Sequence, residues 1–276
     1  MIVDLHLHTT ASDGRCTPAE LVEIAAANRV SVLAVTDHDT VNSCPDVAAM
    51  ARAHGIEAIS GIEITAVESG RDVHMLGYFI DIQDAGLRDF LASQRQTRVV
   101  RVERVAQRLA ELGMPIDVSP FITAALTSGQ SIGRPQVADA MIAAGHLTSR
   151  RDAFSRWLGA GRPAFVPRDG ALPERVIEIV HSAGGVISLA HPGRTGLDDQ
   201  RITQLVAAGL DAIEVYHSDH DESTVARYAV LADELGALRT GGSDFHGDPS
   251  YPLTVGSVSL PSEYWNRLRA AAPSRR

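Results

Sequence analysis

"PERVIEIVHSAGGVISLAHPG", residues 173–193, runs from a helix through a Gly-Gly break into a strand and ends on a histidine. Residues 173–185 read as helix and 186–190 as strand, and His191 stands immediately beyond the strand. The same unit recurs outward. Downstream come a helix from about Asp198, the strand "DAIEVY" (211–216), a helix from about Glu222 and a short strand near 237–241. Upstream, residues 2–8 read as a strand. A helix then opens at Thr17-Pro18-Ala19-Glu20, with Thr17 as N-cap, Pro18 in the first position and Glu20 completing a capping box. "SVLAVT" (31–36) is a strand, "PDVAAMARAHG" (45–55) a helix, and "IEAISGIEIT" (56–65) and "VHMLGYFI" (73–80) are strands. Short β-branched runs alternating with helices predict an α/β fold built on a parallel sheet or barrel.

Residues 84–167 interrupt the alternation. They read as helical over about 85–112, 134–145 and 149–161, with "GMPIDVSP" (113–120) and "GAGRPAFVPRDG" (159–170) as joints. The predicted division is therefore a barrel from 1–84 and 168–276, and a small helical insertion, 85–167, that caps its mouth. The last residues, "APSRR" (272–276), read as frayed.

Composition narrows the chemistry. The chain has 276 residues, 45% of them hydrophobic, and two cysteines, Cys16 and Cys44, so it needs no disulfide framework. It holds no apolar run long enough to span a bilayer. Its first residues lack the basic and apolar regions of a signal peptide, and a reducing cytoplasm is the expected setting. All 25 basic residues are arginine. The lack of lysine excludes a Schiff-base lysine, covalently bound pyridoxal phosphate, a Ser-Lys dyad and a P-loop. Between Arg95 and Arg168 the net charge is +6, against −15 for the remainder. This pairs a cation-binding body with a segment that attracts anions. Arg98, Arg101, Arg104 and Arg108 read as a solvated helix face.

Polar residues fall at one strand end after another. In strand 2–8, Asp4, His6 and His8 face away from Val3, Leu5 and Leu7. Asp13 follows in "SDG", His38 in "TDHD", Glu63 in "GIE" and His74 at the next strand. His191 lies in "AHPG", and Asp244 and His246 lie in "GSDFH". In a parallel barrel the loops after the strands converge on one face, where active sites lie. Six imidazoles and three carboxylates, with no thiolate, suit manganese, iron or zinc. Nine ligands are too many for one ion and suit two or three. His54, His146, His181 and His220 read as ordinary surface or core residues.

"DLHLHTTASDG", "AVTDHDT", "GIEIT", "AHPG" and "GSDFHG" together resemble the successive metal motifs of the polymerase and histidinol phosphatase (PHP) family. The resemblance covers the barrel on both sides of the insertion, and every motif position is filled. Length and insertion are most similar to the TrpH-like branch. The resemblance implies a distorted (β/α)7 barrel holding three metals, with manganese foremost, and hydrolysis of phosphate esters. For this branch it implies nucleoside 3′,5′-bisphosphates and 5′-end trimming of short RNA. Carried over, it places His6, His8, Glu63 and Asp244 on one metal and Asp13, His38 and His246 on a second. His74 and His191 fall to a third, shared through Glu63.

The expected chemistry is attack of a metal-bridging hydroxide on phosphorus, with arginines stabilising charge on the phosphoryl oxygens. The expected product from a nucleoside 3′,5′-bisphosphate is a 5′-nucleotide. Ser131, Arg134 and Arg162 in the insertion, and Arg194 after His191, are candidate phosphate contacts. His217, after strand 211–216, is placed to touch substrate or protonate the leaving oxygen. Asp37 and Asp39 flank His38 as partners of the ligands, and Asp37 joins His217 as a catalytic candidate. The expected partner is a phosphorylated small molecule, a nucleotide, or short RNA, with no membrane and no obligate protein partner. Histidinol phosphatase is the rival reading. A C–N amidohydrolase would carry a metal-bridging lysine, absent here, and a non-catalytic PHP module would have lost ligands.

Overall fold

Val186–Leu189, the strand of the 173–193 unit, is the fifth of seven strands whose order in space equals their order in the chain. This is a computed structural model, and it describes residues 1–249 and 253–272. Among these, β1 (Ile2–Leu7), α1 (Pro18–Ala27), β2 (Val30–Val35), α2 (Cys44–Ala53), β3 (Glu57–Glu68) and β4 (Arg71–Tyr78) form the first half. The helices α3 (Ala85–Glu111), α4 (Ser119–Ser128), α5 (Arg134–Ala143) and α6 (Arg150–Ala153) follow. The second half holds α7 (Pro173–Ser182), β5 (Val186–Leu189), α8 (Pro192–Thr195), α9 (Asp199–Ala207), β6 (Ala212–His217), α10 (Glu222–Leu235), β7 (Leu238–Gly242) and α11 (Ser262–Ala271). The segment after β7 returns to β1: His8 N donates to Phe245 O at 3.0 Å and Asp244 N to His6 O at 2.9 Å. These bonds draw the sheet into an α/β barrel.

The parallel expectation holds for β1–β2–β3 and β5–β6–β7, but β4 runs antiparallel to both β3 and β5. The cause is local. Glu68 pairs with Arg71 across the two-residue loop Ser69-Gly70, whose φ values of 49° and 75° are those of a tight hairpin turn. A hairpin replaces one crossover helix at that point. The box at α1 forms as the sequence predicts, with Thr17 capping Glu20 N and the Glu20 carboxylate returned to Thr17 N at 2.8 Å.

Two apolar cores meet along α3. Leu87 and Leu91 pack with Ile62, Ile64, Val73 and Met75 of the β3–β4 hairpin and with Val176 and Val180 of α7. Beyond them, Val102, Val105 and Leu109 pack with Val137 and Met141 of α5 and with Leu158. The long helix thus serves barrel and insertion alike. Three elements depart from the sequence reading. The joint at 113–120 already contains the start of α4. The single helix expected over 149–161 is one α turn followed by a π turn, Phe154–Leu158, closed by Gly159 N donating to Phe154 O at 3.0 Å. Finally, α11 buries Trp265 and Leu268 but has too few apolar positions to stand out. Of the tail read as frayed, 273–276 lie outside the described residues. No helix among the described residues is long and apolar enough to cross a membrane.

Candidate metal centre

Glu63, buried within β3, is the hub at which the histidines and carboxylates meet. Its Oε2 lies 3.3 Å from His6 Nε2, 3.2 Å from His8 Nε2 and 3.1 Å from His38 Nδ1. Its Oε1 lies 2.8 Å from His74 Nδ1 and 3.1 Å from His191 Nε2. Asp244 Oδ1 approaches His6 Nε2 at 3.3 Å and His8 Nε2 at 3.2 Å. Asp13 adds contacts of 3.3 Å to His246 Nε2 and 3.6 Å to His38 Nε2. The nine residues therefore converge on one site, although Glu63 and His74, expected at strand ends, lie inside β3 and β4 because the hairpin carries both strands past the cluster. Their ligand atoms fall into overlapping groups: His6, His8, Glu63 and Asp244; His8, Asp13, His38 and His246; and His38, Glu63 and His74.

The backbone is bent to make this convergence. His191 and Asp244 have φ values of 26° and 54°, in the left-handed region that non-glycine residues seldom enter, which is how a strand end can turn a ligand inward. Gly242 must be glycine for a different reason. A Cβ there would collide with the backbone nitrogen of His6, separating β7 from β1.

Several buried atoms in the cluster lack a hydrogen-bond partner: His6 Nε2, His8 Nδ1 and Nε2, His38 Nδ1 and Glu63 Oε2. A buried polar atom left unpaired costs about 1–3 kcal/mol, so such a concentration needs a cation to be tolerable. The donor set, imidazole and carboxylate oxygen, matches first-row divalent metals. Burial pushes the Glu63 carboxyl up, but His38, His74 and His6 hold it well below the usual carboxylate range. Asp13 is likewise opposed by burial and held low by His246 and His38. Burial pushes His191 down, toward the neutral imidazole that binds metal. The residues present fit a cluster of divalent ions.

Glu214 in β6 escaped the sequence reading. It is fully buried, with Oε1 2.9 Å from His6 Nδ1 and Oε2 accepting from His191 N at 2.6 Å. The signal available was one carboxylate within the apolar strand 211–216.

A cavity of about 320 Å³ opens on the cluster, lined by His38, Glu63, His74 and His191 on one side and by arginines on the other. Arg98 and Arg101, read as a solvated face, instead point into it. Arg98 Nε donates to Asp39 Oδ2 at 2.6 Å, and Arg101 Nη1 donates to Asp72 Oδ2 at 3.2 Å. Arg168 and Arg134 join the same two carboxylates at 2.9 and 3.0 Å. Of the expected phosphate contacts, Arg134 lines this cavity, its guanidinium over the rings of Phe154 and Phe165, and exposed Arg194 stands at its edge. The other two depart from expectation. Arg162 is exposed on the insertion's surface and is not among the described cavity-lining residues. Ser131 is buried beneath, its backbone N–H bonded to Ala11 O at 2.9 Å.

The two catalytic candidates also sit elsewhere than expected. Asp37 accepts from Thr9 N and Thr9 Oγ1 at 2.7 Å each, from Ser12 Oγ at 2.7 Å and from Ser43 Oγ, so its oxygens tie loops together. His217 is buried behind Asp244, with Nε2 3.3 Å from its Oδ2 and Nδ1 accepting from Asp219 N. The remaining histidines have ordinary partners, such as Asp211 for His181 and Val215 O for His220.

Known proteins resemble this chain along most of its length. Residues 4–99 match the PHP domain. The 5′-3′ exoribonuclease Rnm of Salmonella typhimurium is 34% identical over 252 residues, covering 89% of this chain and 85% of the relative. The 3′,5′-nucleoside bisphosphate phosphatase of Chromobacterium violaceum is 31% identical over 279 residues, covering 97% and 96%. Among solved structures, a chain from Bifidobacterium adolescentis regarded as a metal-dependent phosphoesterase superimposes with a TM-score of 0.90 at 31% identity, covering 99% and 96%. With relatives of this similarity along nearly its whole length, and a polynuclear ligand set at the mouth of the barrel, the chain belongs to the PHP family and is a phosphoesterase.

Proposed function

We infer that the substrate is a nucleotide with two phosphate groups, and that the reaction removes the 3′-phosphate of a nucleoside 3′,5′-bisphosphate to leave a 5′-nucleotide. One observation carries this reading: four guanidinium groups, of Arg98, Arg101, Arg134 and Arg168, share one cavity with the cluster and, among the described residues, form ion pairs with two carboxylates, Asp39 and Asp72. The surplus of two positive charges equals the charge of one phosphate dianion. A monoester whose only phosphate sits on the cluster has no use for it. The two relatives named for nucleoside bisphosphates and RNA support the same substrate class.

His6, His8, Glu63 and Asp244, then Asp13, His38 and His246, then His74 and His191 with Glu63, would hold the metal ions, manganese foremost. When bound, such ions lower the pKa of water and neutralise phosphoryl charge. The chain's own residues supply position. Asp39 and Asp72 fix the planes of their arginine pairs, so that the second phosphate is gripped without reorganisation. Phe154 and Phe165 hold Arg134 from its faces. Arg194, within 3.6 Å of Asp244 Oδ2, lies where charge develops on the transferred group.

The test is phosphate release by the manganese-loaded protein from a nucleoside 3′,5′-bisphosphate, histidinol phosphate and a short 5′-phosphorylated RNA in parallel. Turnover of the bisphosphate well above histidinol phosphate is the expected result. Turnover confined to histidinol phosphate would overturn the reading.

A further inference from the structure

The loop between β1 and α1 carries the ligand Asp13, and four successive carbonyls of this loop are met by the helical insertion. Thr10 O accepts from Gln130 Nε2 at 2.6 Å and Ala11 O from Ser131 N at 2.9 Å. Ser12 O accepts from Gln136 Nε2 at 2.7 Å and Asp13 O from Arg150 Nη1 at 3.1 Å. These donors stand on the approach to α5, in its first turn and at the start of α6. The barrel holds the loop separately, through Asp37, which accepts from Thr9 N and Ser12 Oγ.

The loop after β2 is held in the same way. It carries His38, and beside that ligand Asp39 O accepts from Arg95 Nη1 at 3.0 Å. Further along, Asn42 Nδ2 donates to Ser128 O at the end of α4, at 2.8 Å. Asp13 and His38 belong to one ligand group, with His8 and His246. The group of His6, His8, Glu63 and Asp244 is built differently. Glu63 sits in the ladder of β3 with β4, opposite Leu76, and Asp244 N donates to His6 O at 2.9 Å. Bonds of the sheet and its closure position this first group, whereas bonds from the insertion hold two loops of the second.

Gln136 is the donor whose orientation is fixed most fully. It is buried, its Oε1 accepts from Gly133 N at 2.8 Å, and its Nε2 faces Ser12 O. A backbone N–H can only donate and a carbonyl can only accept, so its two partners decide which end of the amide is which. A ligand on a loop that is ordered beforehand binds more tightly, because the ordering entropy is not charged to the binding step.

We propose that Gln136 and Arg150 are positioning residues for the second metal: through the carbonyls of Ser12 and Asp13, the insertion sets the backbone from which the Asp13 carboxylate reaches the ion. The barrel by itself provides the first site, and the insertion completes the next. This rests on the ligand assignment above and not on the choice of substrate.

The experiment titrates the full chain, stripped by chelator, with manganese, and measures bound ions by equilibrium dialysis and elemental analysis. It compares wild type, Gln136→Met, Arg150→Met, Asp13→Asn and each of the first two combined with Asp13→Asn. Val137→Ala is the control, since Val137 adjoins Gln136 but is buried in the insertion's own core. Gln136→Met and Arg150→Met are each expected to weaken one class of manganese about tenfold or more, the range for an outer partner of a ligand, and to leave the remainder within about threefold. Val137→Ala lowers the thermal midpoint but binds manganese as wild type does. Asp13→Asn weakens the same class, and adding either methionine substitution changes it no further, because residues that act through one ligand are not additive. A merely structural contribution would persist in that background. Both methionine variants binding manganese as wild type does overturns the proposal. So does loss of every class together, in step with the thermal midpoint, or further weakening in the Asp13→Asn background. The two substitutions lie on different helices, so one failing to fold leaves the other decisive. A wild type that binds no manganese overturns the ligand assignment itself.

Discussion

Glu214 Oε1 lies 2.9 Å from His6 Nδ1 in the barrel interior, and this fixes which nitrogen of His6 faces the cluster. A carboxylate at Nδ1 keeps the proton there, leaving Nε2 with its lone pair toward Glu63 and Asp244. The same carboxylate, through Oε2, accepts from the backbone of His191, whose φ of 26° needs such a restraint. Glu214→Gln is therefore expected to weaken metal binding by about 10–100-fold, the usual range for an outer partner of a histidine ligand. Metal content after dialysis against buffered manganese measures this directly. Wild-type stoichiometry across the titration would show that Glu214 does not orient the ligand.

Asp39 presents a different case, since its job is to neutralise. It is fully buried, and Arg98 and Arg168 both end on its Oδ2. Burial alone would raise its pKa, but the two guanidiniums hold it well below the usual range. Asp39→Ala leaves buried positive charge uncompensated and is expected to cost about 3–5 kcal/mol by urea denaturation. A cost below about 1 kcal/mol, the level of an exposed pair, would mean that water already screens the arginines.

Removal of metal should loosen the whole barrel, because residues from six strands or the loops after them meet at the cluster. Chelation is expected to lower Tm, and manganese restored at 100 times its Kd should recover about 2.7 kcal/mol for each independent site. Thermal melts across a manganese titration follow this. A Tm indifferent to chelator in protein verified to have held metal would contradict the fit of the cluster to cations.

Helix α10 gives a pH-dependent prediction remote from the cluster. Its N-cap Asp221 accepts from Thr224 N at 2.8 Å and from Ser223 Oγ at 2.9 Å. These bonds lower its pKa from 3.8 to about 2. A depressed carboxylate binds fewer protons folded than unfolded, so its contribution is complete above about pH 4 and is lost as pH falls through about 2. Asp221→Ala should lower Tm at neutral pH, and the gap to wild type should close over that acidic window. A gap that stays constant down to pH 2 would assign the effect to helix propensity rather than to the cap's charge.

Much of the centre is legible in the order of residues along the chain. His6, His8, His38, His191 and Asp244 stand at or just beyond strand ends, and strand ends are marked by apolar runs giving way to Gly, Pro and Asp. The arginine-lined cavity is far less legible. Arg98 and Arg101 carry the spacing of an exposed helix face, and nothing nearby in sequence announces Asp39 and Asp72 as partners. Helical periodicity states which residues share a face, not whether that face meets water or a charged cavity. The same limit applies to Asp37, whose place beside His38 suggests chemistry while its oxygens serve Thr9, Ser12 and Ser43.

The sequence by itself determined the α/β alternation, the succession of histidines and carboxylates that meet at one site and the net positive charge of residues 95–168, because each is set by local periodicity, turn chemistry or composition. Tertiary structure alone decided that Glu214 stands behind His6 and that Arg98 and Arg168 converge on Asp39. Those outcomes depend on pairings between residues dozens to hundreds of positions apart, where side-chain packing and the neutralisation of buried charge, rather than local propensity, select the arrangement.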